Sequence, residues 1–153
     1  MKKIAILIAI TSFFIFAQQK EAKAQCKQQR VYQCARKGGN AIYLRDFNTK
    51  LRAVRSSRSI NGTKWPVVLN RGTRYRFILC APRKNSNDVK MTLFDSRHPE
   101  AKPWNSTEKS GREMFDFICK RSGVYYVSIR FKEGRGKRKT CAVGILSFVG
   151  KNQ

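Results

Sequence analysis

The sequence predicts an all-β fold, a single antiparallel β-sandwich with jelly-roll or Greek-key connections and disulfide bonds. Three observations carry it. From Lys64 onward apolar and polar residues alternate with period two, Gly- and Asn-containing breaks separate the alternating runs, and five cysteines follow a secretion-type leader.

The alternation is clearest where Tyr75, Phe77 and Leu79 interleave with Arg74, Arg76 and Ile78. Val89, Met91 and Leu93 interleave with Lys90, Thr92 and Phe94, and Tyr125, Val127, Ile129 and Phe131 with Tyr126, Ser128 and Arg130. One apolar face and one wet face is the arrangement of an antiparallel sheet. Residues 41–47, 65–69, 114–119 and 141–149 read as further strands, with breaks at Gly38-Gly39, Asn61-Gly62, Asn70-Arg71-Gly72 and Ser122-Gly123. The count is seven or eight short strands, with a long surface return over residues 96–111 and no helical periodicity after the leader.

Residues 1–24 read as a signal peptide. Lys2 and Lys3 precede an apolar run from Ile4 to Ala17, and Ala22-Lys23-Ala24 supplies a small-x-small cleavage pattern. The run is shorter than the roughly twenty residues of a membrane-spanning helix. The expectation is a mature bacterial protein of residues 25–153, secreted or periplasmic, with one domain and one core.

In an oxidising compartment five cysteines imply two disulfides and one leftover thiol among Cys26, Cys34, Cys80, Cys119 and Cys141. Sequence leaves the pairing open. Cys80, Cys119 and Cys141 lie at the ends of predicted strands and are expected to supply at least one bridge. Cys26 and Cys34, in the least patterned region, are the candidates for a free or intermolecular thiol, unless they pair with each other or simply pack. No cysteine pair has zinc-ribbon spacing and His98 is the only histidine, so neither a metal site nor any other cofactor is expected.

The run Tyr75-Arg76-Phe77, then Val89 to Asp95, then Asp116-Phe117-Ile118-Cys119 through Gly123-Val124-Tyr125-Tyr126-Val127-Ser128-Ile129 resembles the strand order of bacterial pre-peptidase C-terminal-type and Golgi-dynamics (GOLD)-type β-sandwiches. The resemblance spans about residues 73–149. It implies a non-catalytic accessory or interaction domain.

Catalytic motifs are not indicated. A triad would need His98 as its base, and His98 sits beside Pro99 in a loop, where a solvated surface role is the simpler reading. Of the acids, Asp95 and Asp116 border or interrupt apolar strands and read as a turn cap and as an outward-facing ion-pair partner. The glycines Gly134 and Gly136 lack the lysine and hydroxyl of a phosphate-binding loop. The protein is expected not to be an enzyme, and no small-molecule substrate is expected.

Charge is the one functional signal with a mechanism. The chain has 33 Lys and Arg against 9 Asp and Glu, a formal net charge of +24. Basic clusters fall at Arg45, Lys50, Arg52, Arg55 and Arg58, at Arg71, Arg74 and Arg76, and at Lys132, Arg135, Lys137, Arg138 and Lys139. If the fold gathers two of them, the patch would bind an anionic envelope or extracellular polymer (lipopolysaccharide, acidic polysaccharide or DNA) by counterion release. Trp65 and Tyr75 are candidate stacking partners, although the alternation places Tyr75 in the core. Two alternatives stand beside this: a protein-interaction or structural envelope module with no polyanion ligand, and a small secreted hydrolase or toxin. Partners are thus an anionic polymer, a membrane surface or an envelope protein, and sequence leaves the oligomeric state open.

Overall fold

A computed structural model describes residues 26–53, 62–95, 103–136 and 138–151. The leader expected over residues 1–24 lies outside these, as do Arg55, Arg58, His98 and Lys137. The eight strands are β1 (Ile42–Leu51), β2 (Gly62–Leu69), β3 (Thr73–Cys80), β4 (Val89–Asp95), β5 (Asn105–Ser106), β6 (Met114–Ile118), β7 (Gly123–Phe131) and β8 (Thr140–Lys151). They form two four-stranded antiparallel sheets in the orders β1-β8-β3-β6 and β2-β7-β4-β5. Strand β1 pairs with β8, β2 with β7, β3 with β6 and β4 with β5. That nested pairing is the wrap of a jelly roll, and it settles the choice between the two connection types.

Between the sheets lies one core, built from the inward positions of the period-two runs. Phe47, Leu51, Val67, Leu69, Tyr75, Phe77, Met91, Leu93, Val127 and Ile129 are all buried in it. Phe77 stacks on Phe115 with ring centroids 5.1 Å apart, and Trp65 packs on Phe47 at 5.5 Å. Tyr75 and Trp65 are therefore spent on packing rather than on stacking a ligand. At the centre of β8, Gly144 leaves room for its neighbours: a Cβ there would lie 2.9 Å from both Ile129 and Met91.

Helical structure beyond residue 24 is the first departure from expectation. Helix α1 (Gln28–Ala35) buries Val31 and Cys34 on the outer face of the β1-β8-β3-β6 sheet. Under it Ile78, Cys80, Val143 and Ile145 form a second, smaller cluster. Cover on both sides explains why Phe77 to Cys80 and Ala142 to Ser147 are buried without a break, where alternation alone would leave every second residue wet. Eight residues with two buried positions give too short a repeat for a helical period to register. A second helix, α2 (Thr107–Ser110), follows β5, so the return over 96–111 is not wholly irregular. Ser106 Oγ caps α2 by accepting from Lys109 N at 3.0 Å, and Gly111 ends it in the left-handed region at φ +64°.

The disulfides are two with one leftover thiol, as expected, and Cys80 and Cys141 each supply a bridge; the departure is in which cysteine is free. Cys26 bonds Cys141 and Cys34 bonds Cys80, while Cys119 is the free, buried thiol. Cys26 and Cys34 are thus neither free nor paired with each other. Each fastens α1 to a different strand, β8 and β3. Asn48 reinforces the first link by accepting from Cys26 N at 2.8 Å and donating to Cys26 O at 3.2 Å. Closing loops of 115 and 46 residues contributes about 5 and about 4 kcal/mol in the chain-entropy model. Without those links an eight-residue helix is marginal.

Candidate functional site

Strand register gives the sandwich two ends of different chemistry. At one end Leu69 pairs with Gly123, so the β2–β3 turn (Asn70 to Gly72) and the β6–β7 turn (Cys119 to Ser122) lie side by side. At the other, Leu51 pairs with Thr140 and Val89 with Phe131, so the end of β1, the β3–β4 connection and the β7–β8 loop meet, that loop crossing from one sheet to the other rather than closing a hairpin.

The first end is an interlocked pair of loops. Gly72 N donates to Cys119 O and Cys119 N donates to Thr73 O, both at 2.9 Å. Arg71 N donates to Ser122 Oγ at 2.8 Å, and Asn70 N to Tyr75 Oη at 3.0 Å. From below, Tyr125 Oη donates to Arg121 O at 2.8 Å, and the Cys119 thiol lies 3.0 Å from the same carbonyl. Apart from the Cys119 contact with Arg121, which lies within one turn, each of these bonds ties a turn to the other turn or to a core strand, so the loops are held in one shape. Arg71, Lys120 and Arg121 are exposed on them.

Apolar surface gathers at this same end. Among the described residues the exposed large apolar side chains are Val68 (71% exposed), Ile118, Val124 and Trp104 around the loops, Ile42, Tyr43 and Leu44 at the start of edge strand β1, and Tyr32 on α1. The described residues of the β3–β4 and β7–β8 connections contribute none of them. Single exposed apolar residues are ordinary, but a set gathered at one end of a domain marks a contact surface.

Beside the loop pair, Asp116 on β6 takes two arginines. Arg76 Nε lies 2.7 Å from Asp116 Oδ1 and Arg74 Nη2 2.7 Å from Oδ2. The Asp116 carboxyl is held below the usual carboxylate value, first by the hydrogen bond from Arg76 and further by that from Arg74. Arg74 and Arg76 are thereby engaged in an internal cluster, which weakens them as polyanion ligands.

The end with the β7–β8 loop carries the other basic candidates. Arg52, Arg135, Arg138 and Lys139 are exposed and Lys132 is half-buried. Arg135 lies 4.0 Å from Asp88. Lys132 N donates to Asp88 O at 2.8 Å, which binds the β7–β8 loop to the Arg83–Asp88 turn and adds exposed Arg83 and Lys84 to the group. Those two cations were absent from the sequence-based candidates, because only the β4–β7 register brings their turn to that loop. Gly136 seats the loop on Phe131, where a Cβ would approach the ring to 2.6 Å.

A pocket of about 120 Å³ opens at this end, lined by Ser86, Asn87, Thr107, Glu108, Glu113 and Lys132 among others. Its two carboxylates are both in ion pairs, Glu108 with Lys90 at 2.5 Å and Glu113 with Lys37 at 2.6 Å. The hydrogen bond from Lys90 holds the Glu108 carboxyl below its usual range. A general acid needs the opposite shift. Among the described residues no group of three or more His, Cys, Asp or Glu is placed to hold a metal ion, and no helix is long and apolar enough to cross a membrane.

No family model matches the sequence, and no curated protein matches it. Among solved structures the chain is similar in fold to PliG of Aeromonas hydrophila. PliG is a periplasmic lysozyme inhibitor of g-type lysozyme. The two superpose with a TM-score of 0.56 at 9% identity, over 72% of this chain and 89% of PliG. A likeness at that identity is one of fold.

Proposed function

We propose that this protein is a non-catalytic binding module of the bacterial envelope, secreted or periplasmic, that acts by docking its interlocked loops into a protein partner. The observation that carries the reading is the loop pair itself: two turns locked by mutual hydrogen bonds, tipped by Arg71, Lys120 and Arg121 and flanked by exposed Val68, Ile118 and Val124. Rigid loops lose little entropy on binding, which favours an inhibitor-like mode. Retaining and inverting glycosidases flank the scissile bond with two carboxylates, so a basic tip with apolar shoulders complements such a cleft in charge and in shape. The fold shared with PliG supports a glycosidase of the lysozyme kind as the partner.

The test is peptidoglycan turnover by a g-type lysozyme with increasing amounts of the oxidised protein. Saturable loss of turnover at near-stoichiometric ratio supports the reading. Unchanged turnover at large excess removes lysozyme as the partner.

A further inference from the structure

We propose that the end of the sandwich with the β7–β8 loop is a separate binding site for an acidic polysaccharide, with a sugar unit seated in the pocket and the polymer's charges held by the surrounding cations. Three connections that are distant in sequence converge there. The Leu51–Thr140 pair brings Arg52 beside the β7–β8 loop, and the bond from Lys132 N to Asp88 O brings Arg83 and Lys84. With Arg138 and Lys139 they surround the pocket end with exposed positive charge. The arginine forks match carboxylate and sulfate oxygens two at a time.

The pocket selects the class of polymer. Exposed Asn87 presents an amide, the lysine-paired carboxylates of Glu108 and Glu113 offer oxygens that accept from hydroxyls, and Lys132 puts a cation at the wall. That combination suits the hydroxyls and the carboxylate of a sugar acid. Among the described residues this end exposes no large apolar or aromatic side chain. It therefore has neither a platform on which single-stranded bases stack nor an apolar wedge that enters acyl chains. It also presents loops rather than the helix or ribbon that fills a DNA groove. Because this site and the interlocked loops lie at opposite ends, polymer binding leaves the loops open, and the two sites stand or fall separately.

The experiment titrates oligoguluronate, a 20-base-pair DNA duplex and lipopolysaccharide into the oxidised protein across a salt series that includes about 150 mM. Oligoguluronate is expected to bind at that salt. The pair Arg138→Gln and Lys139→Gln is expected to weaken it at least about tenfold and to lower the salt slope by about two. Asn87→Ala is expected to lower affinity with the slope unchanged, a signature that charge alone does not give. The pair Arg71→Gln and Lys120→Gln, at the opposite end, is the control and is expected to change nothing. Tighter binding of duplex DNA or lipopolysaccharide, an equal loss from the control pair, or no oligoguluronate binding at that salt would overturn the proposal.

Discussion

The Tyr125 hydroxyl donates to the backbone carbonyl of Arg121 at 2.8 Å, so a core strand holds the tip of the exposed β6–β7 turn. The Tyr125 ring also meets Phe117 edge-on at 5.6 Å, which fixes it from the core side. Tyr125→Phe keeps the ring and deletes the bond. The expected cost is about 1 kcal/mol in chemical denaturation. Amide exchange at Lys120 to Ser122 should quicken, with β7 itself unchanged. Unaltered exchange in that turn would show that the loop is held by something else.

Asp116 makes stability depend on pH. Its carboxyl titrates below the ordinary value of 3.8 in the folded state, chiefly because Arg76 hydrogen-bonds the ionised form. Its contribution is therefore complete above the unfolded-state value and is lost as pH falls through the lower folded-state value. Asp116→Asn should cost about 1 kcal/mol at neutral pH, since Arg74 is nearly half exposed and solvent discounts its share. The difference from the parent should shrink below about pH 4. A difference constant down to pH 2 would contradict the assignment.

Peptide mapping under non-reducing conditions should recover Cys26 linked to Cys141 and Cys34 linked to Cys80. Cys119 is 1% exposed, so thiol reagents should modify one cysteine per chain and only after unfolding. The double change Cys34→Ala and Cys80→Ala should lower stability by roughly 3–4 kcal/mol and loosen the C-terminal end of α1, leaving the Cys26–Cys141 link in place, before the sandwich melts. Rapid labelling of the native protein would refute the buried position of Cys119.

Gly144→Val should destabilise by several kcal/mol, because the new side chain meets Ile129, Met91 and Phe47 within a packed core. Met91→Ala added to it should recover part of the loss by opening space. A neutral effect of Gly144→Val alone would mean that the two sheets are farther apart than described.

The strands were legible because most inward positions are apolar, Thr49, Thr73 and Thr140 aside, and each break holds a turn residue. Tyr75, Phe77 and Leu79 read as one face and are one face. Helix α1 was not legible, because it buries only Val31 and Cys34 and owes its place to disulfides that join it to residues 46 and 115 positions away. The same distance hides the cysteine pairing, since strand-end position does not identify a partner. Two basic clusters, around Arg52 and Lys132 to Lys139, do meet, through the β1–β8 pair. The third does not join them: Arg76 pairs in register with Asp116, a cross-strand relationship that no local pattern reveals. The loop pair left only its turn residues in the sequence, since its order comes from contacts between turns some fifty residues apart, such as Arg71 N to Ser122 Oγ.

Calorimetric titration of a g-type lysozyme into the oxidised protein, repeated with Arg71→Glu plus Arg121→Glu and with Arg138→Glu plus Lys139→Glu, tests the central claim most directly. The account predicts a one-to-one complex that weakens at least about a hundredfold with the first pair, near 2.7 kcal/mol, and is nearly unchanged with the second. The absence of a complex, or an equal loss from both pairs, would contradict docking through the interlocked loops.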